Sequence, residues 1–175
     1  MSNIDTIAYA KAGKIFTAAN VSAKILTVVG TAMTGLILTN PVGSGKRFVF
    51  LTAGWSWTTV SPSAQSIGIA IQAFSSTAPS SLTVGGAVVK AADGGPFTSV
   101  GLAYDTATLP VAPVAARWFG GAQWVTGGTG QFPYMLVDKI DGELGLYPGA
   151  AAAFCMIGGT GPTGLASLSY VEVDL

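Results

Sequence analysis

Three short stretches hold residue types that can do chemistry. Gly43-Ser44-Gly45-Lys46 combines a glycine-rich turn with a cation, the ingredients of a phosphate loop. Gly159-Thr160-Gly161-Pro162-Thr163-Gly164 spells the glycine spacing of a dinucleotide-binding turn. Asp138, Asp141 and Glu143 cluster three carboxylates, the raw material of a cation site or an acid–base pair.

Each falls short of its chemistry. A phosphate loop needs glycine five residues before the Gly-Lys pair and a Ser or Thr after it, then a helix N-terminus. Here Asn40 holds the first place, Arg47 the last, and "RFVFLTAGWSW" alternates like a strand. Asn40-Pro41 and Gly43-Ser44-Gly45 therefore read as a bend between two strands. The second glycine pattern is followed by "LASLSYVEVDL", a strand rather than the helix a dinucleotide requires. The three carboxylates lack the ligand number and spacing of a calcium loop, and Asp141-Gly142 reads as a hairpin turn. The eight Asp and Glu are available to acid–base chemistry, but no pair stands at a defined separation. Histidine, the commonest general base and metal ligand, is absent. The single cysteine, Cys155, lies in an apolar run and reads as a buried, inert thiol. No enzyme activity, cofactor or metal is expected.

What must position these residues is a set of short strands. Twenty-four glycines and nine prolines punctuate runs rich in Val, Ile, Thr and aromatics, the pattern of an all-β chain with little helix. Strands are expected over Lys14–Ala18, Ala23–Val29, Thr34–Asn40, Lys46–Thr59, Ser66–Ser75 and Gly85–Ala91. Others follow over Ala115–Thr126, Tyr134–Val137, Gly142–Leu146, Ala150–Ile157 and Leu165–Asp174. In "AGWSWT" and "SIGIAIQ" the large residues share one face and the small ones the other. That suits a sheet packed on one side and closely approached on the other. Residues 1–13 read as an N-terminal arm ahead of a single domain over 14–175, and 93–113 as a long loop.

Composition narrows the function. Half the residues are hydrophobic and only 9% are charged, with no net charge, against a typical charged fraction of about 25%. A folded chain of this mass exposes roughly 7,900 Å², so its surface must include large uncharged areas, which mark contact with partners. Self-association is the expected outcome. Eight scattered Lys and Arg make no basic stripe, which excludes nucleic acid. No secretory leader is expected from "MSNIDTIAYAKAGK", and Pro62, Pro79 and many Ser and Thr break the uncharged span after Arg47, so no membrane is expected either. Trp55, Trp57, Trp118, Phe119, Trp124 and Tyr147 are the candidate interface; core packing, contact between subunits and a sugar-stacking platform stay open for the tryptophans.

Two stretches carry a resemblance. "TGLILTNPVGSGKRFVF", over Thr34–Phe50, and "DGELGLYPGAAAAFCM" leading to a final "SLSYVEVDL" are similar to the jelly-roll virion proteins of tailed bacteriophages, notably capsid decoration (cement) proteins. The resemblance covers about a third of the chain. It implies an antiparallel, jelly-roll-like β-sandwich assembled as a homotrimer, made in the host cytoplasm. It also implies a place on the capsid surface, where it bridges copies of the major capsid protein. The alternative is a carbohydrate- or receptor-binding β-sandwich head of a phage fibre.

Overall fold

A computed structural model of the chain describes residues 5–59, 65–122, 135–158 and 161–175. A short helix, α1 (Thr6–Lys11), lies within the expected arm, its N-terminus capped by Asp5, whose carboxylate accepts from the Ala8 N–H at 3.0 Å. It stops at Gly13, whose positive φ and contact with the Phe97 ring leave no room for a side chain. The strands follow as β1 (Ile15–Asn20), β2 (Lys24–Ile25), β3 (Ala32–Thr39), β4 (Lys46–Thr59), β5 (Gln65–Gln72), β6 (Ser80–Thr83) and β7 (Ala87–Ala91). After these come β8 (Leu102–Thr108), β9 (Val114–Ala122), β10 (Met135–Lys139), β11 (Gly145–Leu146), β12 (Ala151–Ile157) and β13 (Thr163–Asp174).

They form two antiparallel sheets packed as a sandwich. The first sheet runs β10-β4-β13-β1-β7, with β11 also on β4 and β2 on β13; the second runs β6-β8-β3-β12-β5-β9. With β2, β11 and the excursion β6–β8 set aside, eight strands remain, nested like brackets. β1 lies beside β13, β3 beside β12, β4 beside β10 and β5 beside β9, alternating between the sheets. This is the strand order of a jelly roll. The excursion widens both sheets on one side, β7 joining β1 while β8 and β6 extend from β3.

Strand β4 shows how the sequence sets the core. Phe48 and Phe50 fall on even positions, Ala53, Trp55 and Trp57 on odd ones, so a regular strand would send the two sets to opposite faces. A bulge resolves the conflict. Tyr170 pairs with Phe50 and Ser169 with Thr52, leaving Leu51 as the extra residue. All five then face inward, against Ile67, Ile69, Phe154, Leu168 and Tyr170.

Three expectations are corrected. The expected strand Ala23–Val29 shrinks to β2, because Leu26 turns into the core and Val28 bridges to Met156. The expected loop over 93–113 contains β8, and β6 was also missed. Asp141-Gly142 does form a turn, both residues with positive φ and the Glu143 N–H donating to the Ile140 carbonyl at 3.0 Å. It is no hairpin, however: β10 and β11 lie in line on the same edge of β4, and the turn is a detour between them.

Candidate functional site

The glycine turn at Gly43-Ser44-Gly45 links β3 to β4 and so carries the chain from the second sheet to the first. Its interior is occupied by Asn40. That side chain is buried, donates to the carbonyls of Lys46 at 2.8 Å and Leu146 at 3.1 Å, and accepts from Ser44 Oγ at 2.6 Å. The turn is closed on itself, the Ser44 N–H donating to the Pro41 carbonyl at 3.2 Å and the Lys46 N–H to Ser44 Oγ at 3.3 Å. The second glycine pattern runs into β13, though Gly159 and Thr160 lie outside the described residues.

The carboxylates are spent on holding the chain together. Asp138 and Glu143 both bind Arg117, tying the β9 edge of the second sheet to the β10 edge of the first. Asp105 on β8 is fully buried, with Lys24 Nζ at 2.6 Å but off the line of a hydrogen bond, so the contact is an ion pair. Gly86 lies against that carboxylate, and any Cβ there would collide with it. Glu172 accepts from Ser99 Oγ and from the Val100 N–H at 3.0 Å, while the buried Tyr170 hydroxyl meets Ser99 Oγ at 2.6 Å. Burial pushes the Tyr170 phenol well up. Asp174 is bound by Lys46 and by Lys14, which hold its carboxyl down at about 2. Asp5 caps α1 and Asp93 accepts from the Gly95 N–H at 2.9 Å. Among the described residues, no three metal-ligating side chains gather, and no helix is long and apolar enough to cross a membrane.

The expected interface aromatics separate. Trp55 and Trp57 belong to the core, 0% and 5% exposed, with their rings edge-on at 6.4 Å and 88°. Neither has surface to offer a partner. Phe119 also turns inward, its ring 5.8 Å from that of Phe154. Trp124 lies outside the described residues. Tyr147 is exposed on the β11–β12 link, under the Arg47 guanidinium at 5.0 Å. Trp118, 41% exposed, pairs with Gly68 on the outer face of the second sheet. Its indole lies close to that glycine, where a Cβ would stand 2.8 Å from the ring.

That outer face is the most unusual surface of the molecule. The strands of the second sheet carry two ionised side chains, Asp105 and Arg117, and both are turned toward partners from the first sheet. Cys155, Ala153, Ala70 and Ile37 alternate with the core positions and so point outward. They are buried in a second apolar cluster with Leu109 and Met33, and burial pushes the Cys155 thiol up to about 12. Leu109 belongs to the link 109–113, "LPVAP", which carries the chain from β8 past three strands to β9. Val29, from the link after β2, packs on the same cluster. The exterior there includes Pro110, Val111, Ala112, Ala115, Trp118 and Val28, all exposed and none charged. Sequence reasoning foresaw uncharged surface but could not place it, because the face is assembled from links whose course alternation does not reveal.

Comparison with known proteins finds no match among family models, curated proteins or solved structures.

Proposed function

We propose that this is a structural virion protein of a tailed phage, a decoration or cement protein that works by docking rather than by catalysis. It associates with sister copies as a homotrimer and with the major capsid protein at the capsid surface. The observation that carries the reading is the segregation of charge. Among the described residues, the strands of the second sheet send no ionised side chain to its exterior, while Lys46, Arg47, Lys90, Asp138, Lys139 and Asp174 all lie on strands of the first. Water solvates such a face poorly, and one side of the sandwich gains by being covered. An interface of standard size, about 1,600 Å², brings tens of kcal/mol of gross apolar burial at ~25 cal/mol per Å². Rigid-body and ordering losses then cancel much of it. A trimer offsets the weakness of each single attachment by making several at once.

Light scattering on purified protein tests the reading. The expected result is a single species of three times the 17.6 kDa chain mass; a clean monomer at micromolar concentration overturns it. Exposed Trp118 on the same face supports a second reading, a glycan- or receptor-binding fibre head. A glycan array decides between them: binding through Trp118 favours the fibre head, and a blank array the cement protein.

A further inference from the structure

Lys24 and Asp105 meet between the sheets. β2 belongs to the first sheet, where Lys24 pairs with Gly164 of β13, and β8 lies in the second beside β3. The backbone holds both in place. Opposite Asp105, β3 sets two residues, Gly35 and Leu36, between the pairs Thr34–Thr106 and Ile37–Tyr104, a bulge of the kind that re-aims a side chain. The Val21 N–H donates to the Gly86 carbonyl at 2.9 Å, so the link into β2 is tied to the residue that backs the carboxylate. A Cβ on Gly86 would stand 2.2 Å from Asp105 Cγ, so the carboxyl group is closed in on that side.

As a salt bridge the pair is poor. Asp105 is fully buried, and neither of its oxygens accepts a hydrogen bond from the described residues. A carboxylate buried without donors is costly, and a lone cation repays the cost only when its geometry is good. As a reacting pair it is well placed. Nζ stands 2.6 Å from Oδ2, and no hydrogen bond has to break for it to move onto the carbon. With a carbon–oxygen bond of about 1.23 Å, Nζ lies within about 3.9 Å of Cγ. A near-attack pair stands at roughly 3–3.5 Å.

We propose that Lys24 and Asp105 condense to an isopeptide bond, a covalent tie between β2 and β8 and so between the two sheets. The pair itself holds every proton the step requires. Passing one from Nζ to a carboxylate oxygen gives a free amine beside a carboxylic acid. Nζ then attacks Cγ, one C–O bond breaks, and that oxygen leaves as water with two of the three ammonium protons. The third stays on the amide nitrogen. Nothing is oxidised or reduced, and no co-reactant enters. Two buried charges become one neutral amide, and the fixed strands supply the effective concentration that a free amine and acid lack in water. The Lys24 side chain is 32% exposed, which gives the water formed a way out. The bond closes the chain from 24 to 105 into a loop and so constrains the unfolded state.

Mass spectrometry on the full chain, kept folded until its mass is constant and then denatured, tests the proposal. The chain should weigh one water, about 18 Da, less than its sequence requires. After trypsin, segments 15–46 and 91–117 should travel as one branched peptide, uncut after Lys24. Lys24→Arg keeps the cation but has no amine to acylate, so its mass should be the full sum. A wild-type chain of full mass overturns the proposal. So does a loss of water that persists in Lys24→Arg, or one that the digest maps to another pair. The wild-type digest decides even if the variant fails to fold. Mass is read on single chains, so the result stands apart from the oligomeric state.

Discussion

At the scale of single residues, the two exposures of tryptophan make opposite forecasts. Trp55 is enclosed by both sheets, so Trp55→Ala should lower unfolding stability by about 3–5 kcal/mol in urea titration. Trp118→Ala removes a half-exposed ring resting on Gly68 and should cost about 1 kcal/mol or less. Equal losses would show that the inward and outward assignments of β4 and β9 are wrong. Asp174 gives a pH dependence with a definite sign. The hydrogen bond from Lys46, with that from Lys14, holds its carboxyl at about 2 against an ordinary 3.8. A folded-state value below the unfolded one contributes stability at neutral pH and withdraws it as pH falls from about 4 toward 2. The side chain is exposed, so the effect is small. Asp174→Asn should flatten the acid limb of the stability curve over that interval, and an unchanged limb would refute the assignment.

At the scale of elements, the link between β3 and β4 is held by one buried amide. Asn40→Ala strips the donors from the carbonyls of Lys46 and Leu146 and should cost about 2 kcal/mol at about 1 kcal/mol per bond. The urea midpoint measures it, and a loss within error would mean that the glycines alone set the bend. How much of the architecture could be read in advance varies with the element. β4 and β12 were legible almost to the residue, because large residues alternate in one and an unbroken apolar run marks the other. β8, "LAYDTAT", was not, since an aspartate in the middle of a strand argues against burial. Asp105 is buried only because Lys24, eighty-one positions earlier, arrives from β2 to neutralise it, and no local pattern announces such a partner. β6 was hidden for the opposite reason: as an edge strand exposed at every position, it has no apolar face to display. Of the candidate interface residues, Trp118 is exposed and Trp55 is buried, because periodicity marks a shared face without telling which face is inside.

At the scale of the whole molecule, the accessible surface is 8496 Å², close to the roughly 7,900 Å² expected for a compact chain of this mass. The unusual property is therefore not the amount of surface but its division into a charged side and an uncharged side. That division makes the docking reading directional. Val111→Lys or Ala115→Lys, each placing a cation on the exterior of the second sheet, should shift the light-scattering mass toward monomer. Val137→Lys, on the exposed outer side of β10, should leave it unchanged. If Val137→Lys dissociates the assembly and the other two do not, the copies meet through the first sheet.

The bracketed nesting of the strands also sets a timetable. The two strands latest in chain order, β12 and β13, are inserted as interior members of the two sheets, β12 between β3 and β5 and β13 between β4 and β1. A nascent chain lacking them holds each sheet only as two unjoined parts, β10-β4 and β1-β7 in the first and β6-β8-β3 and β5-β9 in the second, and joining them is the slow, long-range closure that topology imposes. The uncharged face is continuous only once β12 has joined β3 to β5. On the docking reading, a product that stops before β12 therefore lacks the joined face through which copies would meet.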